Sequence, residues 1–153
     1  MRVGIFDHLD DGGVPLGQLF EERLQLIEAY DRAGFYGYHL AEHHATPLGY
    51  APSPGVFLSA VAQRTKRLRF GPMVYLLPLY HPLRLIEEIC MLDQMSGGRL
   101  LFGVGRGISP STTRRRSAMR RHPAYSWPPL RSGHGNCASG RWSTCCRFII
   151  RCG

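Results

Sequence analysis

Short, strongly apolar segments begin near residues 2, 35, 68 and 99, and each of the first three is followed by a stretch with helical periodicity. A repeat of roughly thirty residues is the size of one strand plus its crossover helix. Strands apolar on both faces, alternating with amphipathic helices, demand a parallel sheet covered by helices, because each strand must be buried on two sides. The expected fold class is therefore α/β. Ligands in such folds gather beyond the carboxyl ends of the strands. Those ends are Asp7-His8, Glu42-His43-His44, the Leu77 to His81 region and Gly105-Arg106-Gly107.

Local signals divide the chain further. Arg2 to His8 reads as the first strand, and Asp10-Asp11-Gly12-Gly13 as a turn. The next helix puts Leu16, Phe20, Leu24 and Ile27 on one stripe, and Gly34 ends it as a left-handed cap. A second strand is expected from about Phe35 to Glu42. Ser53-Pro54 then reads as a cap with proline in the first turn of a helix carrying Phe57, Ala60, Val61 and Arg64. The third strand, Leu68 to Leu77, is interrupted by Gly71-Pro72, which predicts a bulge or a distorted strand. His81-Pro82 opens a helix with Leu85, Ile86, Ile89 and Cys90 inward, closing at Ser96-Gly97-Gly98. A fourth strand runs from Arg99 to Val104.

All four strand ends carry unusual chemistry, most of all the second and the fourth. Tyr38 to His44 runs from aromatic and apolar residues into an acid and two adjacent imidazoles, as when a buried strand leaves the core and presents titratable groups. A single histidine there would be read as packed or solvated; the recurrence of such chemistry at the other strand ends favours a site. Gly105-Arg106-Gly107 sets small residues beside a guanidinium, so a ligand could approach the backbone while the arginine binds phosphate. The spacing does not match the dinucleotide-binding glycine fingerprint.

Charge splits the chain near Pro110. Residues 1–110 hold all 11 acids and 10 of the 19 basic residues, whereas residues 111–153 hold nine arginines, no acid and four of the five cysteines. The first part has the composition of a globular domain. The second shows no sustained helical stripe and no clear strand before Phe148-Ile149-Ile150. Its cysteines form no paired CxxC framework and show no familiar zinc spacing. No apolar run approaches a membrane span and no signal peptide is visible, so a cytoplasmic location is expected.

Four strings in the first part carry a resemblance. Ala41-Glu42-His43-His44, Leu77-Pro78-Leu79-Tyr80-His81-Pro82, Leu92-Asp93-Gln94-Met95-Ser96-Gly97-Gly98-Arg99 and Phe102-Gly103-Val104-Gly105-Arg106-Gly107 resemble, in order and spacing, the signatures of the bacterial luciferase-like flavin monooxygenases. The resemblance covers about residues 1–110 and implies the first four or so βα units of a (β/α)8 TIM barrel. It implies reduced FMN, or in one branch coenzyme F420, with NAD(P)H acting indirectly through a flavin reductase, and a small organic substrate oxidised with O2. His43 would sit at the reactive edge of the flavin. His44 is either a second functional imidazole or a structural one, and Glu42 would orient His43. Met73-Val74 falls where the family carries a non-prolyl cis peptide under the flavin, and Gly105 and Arg106 would meet the cofactor. Asp93 and Arg99 also match, as structural residues. Light-emitting members tend to have cysteine where this chain has Gly105, so bioluminescence is not implied.

An eight-unit barrel typically needs about 250 residues, so the expectation is a truncated barrel whose open edges favour homo-oligomers or aggregation, with activity in doubt. The tail is read as a frameshift product or as disordered: the chain has 18 arginines and one lysine, Lys66, as a GC-rich gene encodes, and reading such a gene out of frame yields this composition. The alternative is a noncatalytic basic protein that binds nucleic acid through Arg114-Arg115-Arg116 and Arg120-Arg121 with nearby aromatics. A basic run without a recognisable module is more simply a solvated one.

Overall fold

A computed structural model of the 153-residue chain describes residues 1–107 except Ala45 and Pro47. Expectations for residues 108–153, including the tail, lie outside the described residues. In chain order the elements are β1 (Gly4–Asp7), α1 (Leu16–Arg32), β2 (Gly37–Leu40), α2 (Pro54–Arg64), β3 (Arg69–Pro72), β4 (Tyr75–Leu76), a 3-10 turn at Leu77–Leu79, α3 (Pro82–Ser96) and β5 (Val104–Gly105). No helix among the described residues is long and apolar enough to cross a membrane.

Every strand pairing among the described residues is parallel, as the alternation of strands and helices requires. β1, β2 and β3 form one sheet in that order, with Phe6 opposite His39 and His39 opposite Gly71; β4 pairs with β5. The expected fourth strand shortens to β5 and a single bridge between Phe70 and Leu100. The cause lies in its neighbour. From Phe70 to Tyr75 the third strand uses one residue more than its partner does from Leu100 to Val104, so it bulges there, close to the Gly71-Pro72 interruption. The peptide between Met73 and Val74 is cis and lies within this break.

Two helix stripes rotate relative to expectation. In α1 the buried residues are Leu19, Leu24, Ile27 and Asp31, while Leu16 is about half exposed. In α3, Leu85, Ile89 and Leu92 turn inward and both Ile86 and Cys90 are exposed. Leu83, Ile86, Met91 and Met95 make the outer side of α3 as apolar as the inner one, so hydrophobicity alone does not set its phase. Ser53 caps α2 through its backbone, the Val56 N–H donating to its carbonyl, and not through its side chain. Gly34 does take the left-handed conformation, at φ 79°.

The core lies between the first sheet and helices α1 and α2, built around Ile27, Tyr38, Leu40, Leu58, Val61, Leu68 and Phe70. A buried carboxylate fixes the return from α2 into β3. Asp31 accepts the backbone N–H groups of Lys66, Arg67 and Leu68 at 2.9, 2.9 and 2.6 Å. Burial works to raise its pKa, but those three donors outweigh it and hold the carboxyl below its ordinary range. β3 thereby starts in register beside β2, and because the pairings are parallel the carboxyl ends of the paired strands point the same way.

Candidate functional site

The rim is built from the turns and loops at the carboxyl ends of the strands. After β1 the chain reverses at Leu9, which is buried with φ 51°. Asp7 enforces this turn: one carboxylate oxygen accepts the Leu9 N–H at 3.0 Å, and the other takes the Tyr38 hydroxyl at 2.7 Å, with Arg23 at 3.4 Å. His8 is thus held at the strand end. Three residues beyond β2, His43 meets it: His8 Nδ1 and His43 Nε2 are 2.9 Å apart and the rings stack with centroids 5.1 Å apart. Phe6 packs edge-on against His8 at 4.7 Å and is half exposed. The loop after β2 closes over the pair at Gly49. A Cβ there would lie 2.1 Å from the His8 carbonyl oxygen and 3.1 Å from His43 Cδ2, so only glycine fits.

The imidazole pair is therefore His8 with His43, not His43 with His44. Glu42 turns away from His43, which corrects the expectation that it orients that ring. Its side chain is fully buried; one oxygen is 2.5 Å from His44 Nε2 and the other accepts the Leu76 backbone N–H at 3.0 Å. Burial pushes the Glu42 carboxyl up, opposed by its hydrogen bonds to His44, Leu76 and Tyr80. Burial raises the Tyr80 phenol, and the neighbouring Glu42 carboxylate adds to the rise. Tyr75 packs against Tyr80 and donates to Glu88 at 2.8 Å. The signal for His8 was present in its place at the end of the first strand; what the linear order lacks is the register, Asp7 opposite Leu40, that brings His8 to His43 across 35 residues.

Two of the remaining candidates lie on the same rim. Leu76 pairs with Gly105, so the turn after β4 and the Arg106 beyond β5 are neighbours, and the Leu76 N–H links them to Glu42. Arg106 is exposed. Gly105 does not leave room for a ligand: a Cβ there would lie 2.4 Å from Val74 Cγ2, so its missing side chain accommodates Val74. Met73 and Val74 flank the cis peptide at the bulge.

Burial and neighbouring groups act on the titration of His43. His43 is held below its ordinary value of 6.5, first by burial and then by the neighbouring His8, with Asp10 opposing. A hydrogen bond between two imidazoles needs one N–H and one lone pair, so protonating both rings breaks it. With a folded pKa below the unfolded one, the pair contributes stability that is present above pH 6.5 and lost as the pH falls through the folded value. His8→Ala should raise the titration midpoint of His43, read from its imidazole proton shifts by NMR, because one of the depressing groups is gone. An unchanged or lower midpoint would show that the two rings do not interact in solution.

Comparison with known proteins adds three findings. The family model described as luciferase-like monooxygenase matches residues 1–125, continuing past the change in composition near Pro110. Protein y4wF of Sinorhizobium fredii is 62% identical over 110 residues, covering 72% of this chain and 32% of that protein; limonene 1,2-monooxygenase of Rhodococcus erythropolis is 42% identical over 84 residues, covering 55% and 22%. Among solved structures, the oxygenating constituent of 3,6-diketocamphane monooxygenase from Pseudomonas putida, a type II Baeyer-Villiger monooxygenase in complex with FMN, superposes with a TM-score of 0.71 at 29% identity, over 76% of this chain and 32% of that one. The chain spans about a third or less of the length of these proteins.

Proposed function

The chain belongs to the luciferase-like monooxygenase family, and on that premise we propose that it forms the His43-bearing part of the flavin face of an oxygenase that uses reduced FMN and O2 to oxidise a small organic substrate. The observation that carries this reading is the His8–His43 pair, two imidazoles in hydrogen-bond contact held at the rim where parallel strands end. The donor set fits the edge of a flavin: an imidazole able to take or share a proton near neutral pH, an aromatic ring beside it at Phe6, and a guanidinium at Arg106 suited to the phosphate. Gly105 adds nothing to that fit, since Val74 occupies the space. When bound, reduced FMN supplies the activation of O2.

In this reading His43, with Nε2 engaged by His8, offers Nδ1 as its remaining ring nitrogen for proton exchange. His44 is anchored by Glu42 and is a positioning group for the loop. FMN is preferred to coenzyme F420 because the structure in complex with FMN superposes better, with a TM-score of 0.71 at 29% identity against 0.60 at 26% for a coenzyme F420-dependent reductase. The strands here make up the first units of a (β/α)8 barrel, NAD(P)H enters through a separate flavin reductase, and the outer edge of β1 is a place where a second copy could pair. The acid-free tail is proposed to have left the family's reading frame near codon 110; the gene's other frames should then resume family-like sequence, and their failure to do so counts against this.

Titration of the full chain with FMN and with riboflavin, monitored by flavin fluorescence, tests the assignment. Arg106→Ala should weaken FMN binding about tenfold, the worth of one charge-assisted phosphate contact, and leave riboflavin unchanged. His43→Ala should weaken both. Equal loss of FMN and riboflavin on Arg106→Ala, or no quenching by either flavin, would remove the proposal.

A further inference from the structure

We propose that the cleft between the N-terminal halves of α1 and α2 is a binding site for a neutral, apolar small organic molecule, which lies with one end against His43. The cleft has a volume of about 710 Å³, within the range of roughly 300–1,000 Å³ typical of small-ligand sites. Leu16 and Phe20 of α1 face Val56, Phe57 and Ala60 of α2 across it, and the chain from Gly49 to Ser53 closes the rim side. Below the cleft the two helices are clamped together, Arg64 of α2 binding Glu21 at 2.6 and 2.9 Å and also bonding to Glu28; within the lining the Phe20 and Phe57 rings are 6.0 Å apart. At the N-terminal ends of the helices apolar side chains of the lining remain uncovered. Leu16 is 48% and Val56 76% exposed at the mouth.

The chemistry of the lining selects the ligand. Among the described residues, His43 is its one ionisable group apart from the Tyr50 phenol, and that phenol is already committed to Asp11 at 3.2 Å. Burial and His8 keep His43 uncharged at neutral pH. A charged ligand would lose its hydration here without gaining a partner, whereas an apolar one covers the exposed Leu16 and Val56. A donor or acceptor on such a ligand would meet His43, the residue shared between the cleft and the histidine pair. Identifying the bound molecule as the oxygenase substrate rests on the function proposed above; the cleft's preference for neutral apolar compounds does not.

The test uses the full chain and two fluorescent probes with the same ring system, neutral N-phenyl-1-naphthylamine and its sulfonated counterpart 8-anilinonaphthalene-1-sulfonate. Saturable binding is expected for the neutral probe and binding about tenfold weaker for the anion. Val56→Trp, at an exposed position in the mouth, should weaken the neutral probe about tenfold; Leu16→Trp serves if that variant fails to fold by circular dichroism. Ile86→Ser, on the exposed apolar side of α3, should leave binding unchanged. The His43 imidazole resonances should shift as the probe saturates. Binding that is indifferent to both tryptophan variants, that is lost on Ile86→Ser, that favours the anion, or that leaves His43 unmoved would overturn the proposal. FMN titration in parallel separates the two readings: probe binding without flavin binding removes the flavin assignment and leaves the cleft, and the reverse removes the cleft alone.

Discussion

Arg99→Ala should lower folding stability by about 4 kcal/mol, a large share of the roughly 5–15 kcal/mol available to a domain. The guanidinium donates to the carbonyls of Ser96, Leu68 and Ala62 at 2.7, 3.0 and 2.7 Å and to the Thr65 hydroxyl at 2.7 Å, and it lies over the Phe70 ring at 5.2 Å. It therefore ties the end of α2, the start of the third strand and the end of α3 into one unit. Truncation leaves three carbonyls without their donor in a region water reaches poorly. Arg99→Lys should recover less than half of the loss, since a point-like ammonium cannot reach all four acceptors with the guanidinium's planar fork. Urea unfolding monitored by far-UV circular dichroism gives both values. A midpoint for Arg99→Ala within about 0.5 kcal/mol of the parent would mean that the network contributes little beyond its surface contacts.

Much of this architecture is legible along the chain because it depends on local rules. Gly34 and Gly97 end helices where left-handed caps are expected, Pro54 and Pro82 begin them, and the apolar runs fall where β1, β2 and β3 form. Arg99 reads as structural from the family pattern, and the network above gives that reading its content. What escapes the linear order is anything settled by register between strands. The Phe70–Leu100 and Tyr75–Val104 pairings differ by one residue, which breaks up the expected fourth strand. Glu42 looks like the partner of its neighbour His43, yet side chains alternate across a strand end, so adjacent residues point apart; the carboxylate reaches His44, two positions on, and the His43 partner comes from another strand. Glycine is equally ambiguous. Gly105 next to an arginine suggests a ligand's approach, and only the position of Val74 shows that a side chain fills the space.

Glu42→Ala should lower stability by about 3 kcal/mol and detach the histidine loop from the strand after the bulge. The carboxylate is the acceptor on which the Leu76 N–H, His44 and Tyr80 converge, and it is fully buried, so alanine leaves those groups unsatisfied. Glu42→Gln should behave differently. Its amide oxygen can accept from Leu76 while its NH2 group donates to His44 Nε2, provided that His44 carries its proton on Nδ1. That tautomer is visible in 15N chemical shifts and should appear in the variant. The pH dependence separates charge from shape. Because the Glu42 pKa is raised in the folded state, its contribution to stability is present below the ordinary value of 4.5 and is lost as the pH climbs through the folded pKa. Glu42→Gln removes that titration, so the ratio of variant to parent stability should rise from acid toward neutral pH in urea titrations. A ratio that stays flat over that range would mean that the buried carboxylate is ionised at no cost to folding.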